Sequence, residues 1–316
     1  MAYREGKYNP WIQSPDEYFH ADQVPDPKRV KEAVAIFLKS RASDLSPYTL
    51  RNYRSALGIL TETVGRNTYL ERVKGEDITR FMSEIVKGSN RPAPSTQGFR
   101  LIAAKAFFGW CSERNLLIDN PAADVRPPKQ KERLPKAATD AEFAAVLKHI
   151  PEGRSWTRSL FQFAASTGLR IGELGRLRWD HVDIERRLIV IERQKNGRAQ
   201  TQPIPRTAVA ILSDVERIDE YVFTAPNQRR RRQLKSWCMD VQRVFREAVE
   251  SAGIERKLTP HSLRHRYCTK LAESGASAFV IQAAARHADV ATSQRYVSIA
   301  NQNLRAALDE VFDAAD

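Results

Sequence analysis

Hydrophobic positions recur with helical spacing through most of the chain. Between residues 28 and 123, apolar side chains three or four positions apart predict a series of amphipathic helices. Ser46 followed by Pro47 predicts one helix start, because serine caps a helix N-terminus and proline fits the first turn. Ser95 is a second candidate cap, for a long helix that continues to Trp110. The pattern therefore predicts a compact bundle of four or five helices.

Prolines and charged residues separate this bundle from the remainder. Residues 124–136 contain three prolines, many charges and almost no apolar side chains, which is typical of a linker. Residues 1–27 show little periodicity and no apolar signal-peptide core, so we expect an irregular N-terminal extension. The predicted organisation is an extension (1–27), a helical domain (28–123), a linker (124–136) and a second domain (137–316).

In the second domain, one stretch of β-type sequence interrupts the helical spacing of the hydrophobic residues. Helical spacing covers residues 139–177 and the chain from about residue 234 onwards, and residues 188–191 are rich in β-branched side chains. Asn-Gly at 196–197 favours a two-residue hairpin turn, with 201–204 as the return strand and 182–184 as a third strand. The predicted fold class is therefore mainly α with a small antiparallel β-sheet.

Charge narrows the choice of partner. Lysine and arginine number 51 against 38 acidic residues, a net charge of +13. A positive field of this size attracts polyanions, so nucleic acid is the first candidate partner and an anionic membrane surface the second. No apolar run is long enough to span a bilayer, and Cys111, Cys238 and Cys268 show no zinc or disulfide spacing. We expect a cytoplasmic protein.

Two short motifs place charged groups at predicted helix starts. Arg170 follows Gly168 between two helices, and Glu173 lies on the same helical face, either as a structural ion pair or to hold a functional arginine. His261 and Arg264 share a face in the first turns of the helix that Thr259-Pro260 begins. A helix N-terminus attracts phosphate oxygens, and the guanidinium of Arg264 can bind phosphate as a fork. The alternative is a basic surface helix with a satisfied histidine.

Histidine spacing raises the question of a metal. His261 and His265 stand four apart, as zinc ligands on a helix do, but Arg264 places positive charge beside such a site. No glutamate follows His261 in the pattern of zinc peptidases. The sequence therefore predicts no metal site.

His287 and Tyr296 are the last candidates. Nine positions on one continuous helix would place them about 180° apart. They can serve one site only if the helix breaks, and Asp289 or Thr292-Ser293 could break it.

Four segments together resemble the tyrosine recombinase family of phage integrases and Xer proteins. They are TGLRIGEL around Arg170, the hairpin Lys195, TPHSLRH from Thr259, and RHADVATSQRY ending at Tyr296. The N-terminal half is similar to the family's core-binding domain through SPYTLRNYRSAL, STQGFRLIAAKAFFGW and DNPAADVRPPK. Two departures are visible: Ala285-Arg286 replaces the usual Leu-Gly, and Ser293 stands where threonine is common.

The resemblance implies a site-specific recombinase that cleaves and rejoins DNA through a 3′-phosphotyrosine, without a metal, ATP or other cofactor. The implied catalytic residues, with Glu173 in support, are Arg170, Lys195, His261, Arg264, His287 and Tyr296. Tyr296 would be the nucleophile and His261 its base, and the two arginines and His287 would stabilise charge on the phosphate oxygens. Lys195 would protonate the leaving 5′ oxygen, because the neighbouring arginines are poor proton donors.

The implied partners are double-stranded DNA and further copies of the chain. The resemblance implies a homo-tetramer on two DNA sites, with a monomer or dimer off DNA, and no membrane association. Its core-binding helices would contact DNA through Arg51, Arg54, Arg100 and Lys105. The tail at 302–312 could dock on its own domain or on a neighbouring protomer. Two alternatives stay open: a type IB topoisomerase, and a catalytically silent DNA-binding regulator with the same fold.

Overall fold

The structure is a computed structural model that describes residues 28–129, 136–192, 199–225 and 233–300. The chain divides into two compact units, one on each side of residues 130–135. The α-helices in the described part of the first unit are α1 (Val30–Ser40), α2 (Pro47–Val64), α3 (Gly75–Ser83) and α4 (Pro94–Glu113). The predicted bundle of four or five helices is confirmed.

Local capping explains where these helices begin. Ser46 accepts a hydrogen bond from the Thr49 amide at 3.1 Å, with Pro47 in the first turn, as predicted. The prediction for Ser95 is wrong, because α4 begins at Pro94 and Ser95 lies inside its first turn. The largest fully buried side chains of this unit are Phe37, Leu57, Leu60, Leu70, Ile78, Phe81, Phe107 and Phe108.

The second unit is mainly helical with one small sheet, which confirms the predicted fold class. Its described helices are α5 (Asp140–Lys148), α6 (Trp156–Thr167), α7 (Ile171–Leu174), α8 (Arg206–Ser213), α9 (Leu234–Ser251), α10 (Pro260–Glu273), α11 (Ala278–Ala285) and α12 (Val290–Ala300). The strands β1 (Val182–Asp183), β2 (Leu188–Ile191) and β3 (Gln200–Pro203) pair antiparallel in sequence order.

Helix α10 lies at the centre of this part of the second unit and packs against α6, α11 and α12. Gly168 ends α6 in the left-handed conformation (φ +65°), which turns the chain towards α7. These contacts bring the motifs at 168–173, 259–265 and 285–296 to one place. No helix in the described ranges is both long enough and apolar enough to cross a membrane.

Candidate active site

Arg170 and Glu173 form the predicted pair at the start of α7. The Arg170 amide donates to Glu173 Oε2 at 2.8 Å, and its Nη1 donates to Oε1 at 2.9 Å. Burial raises the pKa of Glu173, but Arg286 and Arg170 outweigh it and hold the pKa below its ordinary value. The Arg170 side chain is 46% exposed, so it is open to an anionic ligand.

Arg264 is buried in the centre of the site. Its Nη1 donates to the Gly168 carbonyl at 2.6 Å, and its Nη2 donates to the Ala285 carbonyl. Burial, followed by repulsion from Arg170, lowers its pKa to about 10. The alternative of a basic surface helix is therefore wrong, and Arg264 joins α10 to the ends of α6 and α11.

The predicted break between His287 and Tyr296 is confirmed. Helix α11 ends at Ala285, α12 begins at Val290, and Asp289 Oδ1 accepts from the Ala291 amide at 2.9 Å. Thr292 and Ser293 lie inside α12 and do not break it. His287 Nδ1 lies 2.8 Å from Ser293 Oγ, and the His287 ring stacks on Tyr296 with centroids 6.1 Å apart.

Tyr296 is docked inside the second unit. Tyr296 is only 3% exposed, and its hydroxyl oxygen lies 2.6 Å from His265 Nδ1. Burial raises the pKa of the phenol above its ordinary value, although Arg264 opposes this shift. Burial and repulsion from His261 lower the pKa of His265 to about 4, so His265 is neutral at pH 7. In this conformation Tyr296 is a poor nucleophile.

His265 is a residue that sequence reasoning missed, since it was weighed only as a zinc ligand. Its ring packs edge-on against His261 at 4.6 Å, which the spacing of four on one helix favours. His261 itself is exposed at the start of α10. Loss of hydration, then the charges of Arg264 and Arg170, lower its pKa. The hydroxyl of Tyr296 thus contacts His265, whereas the expected base was His261.

Arg286 is the second residue that was missed. It ends α11 with φ +56° and ψ +46°, a left-handed conformation that costs a non-glycine residue about 1–2 kcal/mol. Its side chain is 3% exposed, and Nη2 donates to Glu173 Oε2 at 2.7 Å. The signal in the sequence was the arginine itself, at a position where the resembling family usually has glycine.

The predicted site residues divide into those that the structure brings together and those that lie outside the described residues. Those that the structure brings together are Arg170, Glu173, His261, Arg264, His287 and Tyr296. Lys195 and the hairpin turn at 196–197 lie outside the described residues, as does the tail at 302–312. Across the described ranges, no group of three or more His, Cys, Asp or Glu residues is placed to hold a metal ion.

The expected DNA contacts of the first unit need one correction. Arg100 is 6% exposed, and its Nη1 donates to three carbonyls at the end of α3, those of Phe81, Met82 and Glu84. It caps that helix and is not available to DNA. Arg51 and Arg54 are exposed on α2, and the half-buried Lys105 donates to the Ala123 carbonyl at 2.9 Å.

Known proteins share both the sequence pattern and the fold. Residues 136–303 match the model of the phage integrase family. Tyrosine recombinase XerA of Thermococcus kodakarensis is 31% identical over 291 residues, covering 90% of this chain and 95% of that protein. Tyrosine recombinase XerD of Mycobacterium leprae is 31% identical over 262 residues, covering 75% and 81%.

Two solved structures show the same fold. A lambda integrase dimer bound to a COC′ core site matches with a TM-score of 0.71 at 19% identity, covering 93% of this chain and 82% of that one. A lambda integrase tetramer bound to a Holliday junction also matches with a TM-score of 0.71, at 18% identity, covering 87% and 78%.

Proposed function

This chain belongs to the phage integrase family and is a tyrosine recombinase, and from that premise we propose that Tyr296 becomes covalently joined to DNA during site-specific strand exchange. One observation carries the proposal. The Tyr296 hydroxyl lies 2.6 Å from His265 on α10, the same helix that supplies His261 and Arg264. The proximity of the Tyr296 hydroxyl to this helix supports its role as the nucleophile.

The reaction is an exchange of one phosphate ester for another. The Tyr296 oxygen attacks the scissile phosphorus, the bond from phosphorus to the 5′ oxygen breaks, and a 3′-phosphotyrosine forms. The phenol loses its proton to His261, and the leaving 5′ oxygen gains a proton from Lys195. Fixed positive donors stabilise the charge that develops on the non-bridging oxygens. The exposed guanidinium of Arg170 binds one of these oxygens, with Arg264 and His287 as further donors.

DNA binding must change the docked conformation. Tyr296 is 3% exposed and Arg264 is 2% exposed, so neither meets a phosphate arriving from solvent. We propose that DNA draws Tyr296 away from His265, which releases the hydroxyl and opens the pocket around Arg264. His261, already exposed on the same helix, then accepts the phenolic proton.

The assembly follows from the chemistry. A phosphotyrosine keeps the energy of the broken ester, so a second DNA hydroxyl can reverse the step without ATP. Rejoining to a new partner requires that two DNA sites be held together. We propose a homo-tetramer acting on two double-stranded sites in the cytoplasm, without a cofactor. The arrangement of lambda integrase as a tetramer on a Holliday junction supports this assembly.

The nucleophile is tested with a nicked suicide DNA substrate that traps the covalent product on a denaturing gel. The wild type should form the adduct, and Y296F should bind the same DNA without forming it. The matched control is Y267F, which removes a hydroxyl from a neighbouring half-buried tyrosine and should keep the adduct. An adduct in Y296F would sink the assignment, and relaxation of supercoiled DNA without any site requirement would favour the topoisomerase alternative.

The role of Lys195 has its own test. K195A should cleave ordinary DNA slowly and recover on a substrate whose leaving group is a 5′ thiol, because a thiolate leaves without a proton. Absence of recovery would count against Lys195 as the general acid.

A further inference from the structure

Arg286 has a left-handed backbone, which is uncommon for a residue other than glycine. A bulky residue stays in the left-handed region only where its surroundings fix it. The described residues with this backbone, glycine apart, are Asn115, Arg187 and Arg286. Arg187 is exposed, whereas the side chain of Arg286 is 3% exposed and its Nη2 lies 2.7 Å from Glu173 Oε2. Backbone hydrogen bonds from the Arg286 and His287 amides to Ala283 and Gln282 close this helix end, and the ion pair with Glu173 fixes the side chain of Arg286.

Glu173 connects Arg286 to Arg170. Its Oε1 accepts from Arg170 Nη1 at 2.9 Å, and its Oε2 accepts from both the Arg170 amide at 2.8 Å and Arg286 Nη2 at 2.7 Å. The carboxylate is therefore held from two sides, and it holds the Arg170 side chain in turn.

The charge of this group depends on Arg286. Arg170 and Glu173 alone form a neutral pair, so the carboxylate would offset part of the attraction that Arg170 exerts on a phosphate. With Arg286, two positive charges face one negative charge, and the group carries a net positive charge. The Glu173 side chain is 15% exposed, so water screens these charges only in part.

We propose that Arg286 is a positioning residue for phosphate binding, acting through Glu173 to orient Arg170 and to keep that side of the site positive. The inference rests on the proposed function, in which Arg170 binds the scissile phosphate. In this role Arg286 acts through the carboxylate of Glu173, to which its guanidinium is bonded, and not through the DNA itself.

The variants are R286G and R286K, with R187G as the matched control. Glycine adopts positive φ freely, so R286G removes the charge and relieves the backbone, while R187G relieves the same strain (φ +54°) at an exposed position. On the suicide substrate at saturating protein, R286G should bind DNA within about threefold of wild type and cleave about 10- to 100-fold more slowly. R286K should be intermediate, and R187G should match the wild type.

Two readouts separate this role from a merely structural one. On a methylphosphonate linkage, which lacks the negative charge, the defect of R286G should shrink to a few-fold at most, whereas a distorted site would slow both substrates equally. E173Q removes the charge that Arg286 offsets, so R286G/E173Q should cleave faster than R286G.

The measurements distinguish a failure of the role of Arg286 from a failure of the proposed function. Wild-type cleavage by R286G, or an equal defect on both linkages, overturns the role of Arg286 while leaving the proposed function intact. Failure of the wild type itself to form the Tyr296 adduct overturns the proposed function instead. If R286G does not fold, R286K compared on the two linkages decides the same question.

Discussion

Gly168 offers a quantitative test of how closely the site is packed. Its backbone is left-handed (φ +65°), and a Cβ added there would lie 2.3 Å from Tyr267 Cδ1 and 2.9 Å from Cε1. Gly253 has nearly the same conformation (φ +68°), but no described atom lies within 4 Å of its Cβ position. Alanine at either position suffers the same backbone strain, and only alanine at Gly168 also meets a ring.

The two costs can be separated in magnitude. Left-handed strain costs alanine about 1–2 kcal/mol, which is the whole loss expected for G253A. Overpacking against the ring of Tyr267 adds about 1–3 kcal/mol, so G168A should lose about 2–5 kcal/mol of unfolding free energy. Because the Gly168 carbonyl accepts from Arg264 Nη1 at 2.6 Å, G168A should also slow cleavage at least tenfold, while G253A should not.

The assay is urea denaturation followed by circular dichroism, with the wild type and both variants under identical conditions. Cleavage on the suicide substrate is measured in parallel. Losses of stability that agree within about 0.5 kcal/mol would refute the reasoning, because they would show that the Tyr267 ring moves aside at no cost.

Four further predictions concern the histidines and the basic residues. H265F should speed single-turnover cleavage by up to about tenfold, because the docked phenol of Tyr296 loses a buried hydrogen bond; slower cleavage would show that His265 takes part in the chemistry. The pKa values of His265 and His287 are both lowered to about 4 in the folded state. The unfolded chain therefore binds more protons between about pH 6.5 and pH 4, and stability should fall as the pH falls through that window. The loss is about 1 kcal/mol per histidine from pH 7 to pH 5 after allowance for partial exposure, and a pH-independent unfolding midpoint would contradict it. R100M should lose about 2–3 kcal/mol of stability, measured by denaturation, because three carbonyls each lose a hydrogen bond from the guanidinium. R54M should keep its stability and reduce the salt dependence of DNA binding by about one unit of slope; the reverse pattern would restore Arg100 as a DNA contact.

Local patterns in the sequence determined the elements of this protein. The start of α2 at Ser46-Pro47, the cap of α5 at Thr139 and the strands of the small sheet depend on a side chain and the backbone beside it. The break before α12 was also readable, since a continuous helix would have placed His287 and Tyr296 on opposite faces. The match of four motifs in order then identified the family, and with it predicted the candidate site residues.

Tertiary structure decided how those residues behave. The contact of His265 with Tyr296 spans 31 positions, that of Arg264 with Gly168 spans 96, and that of Arg286 with Glu173 spans 113. Helical spacing relates residues three or four apart, and it contains no information about which distant carbonyl or carboxylate a guanidinium will meet. For that reason the sequence did not predict the burial of Arg264, the docking of Tyr296 or the pairing of Arg286. These features depend on how α6, α10, α11 and α12 pack together.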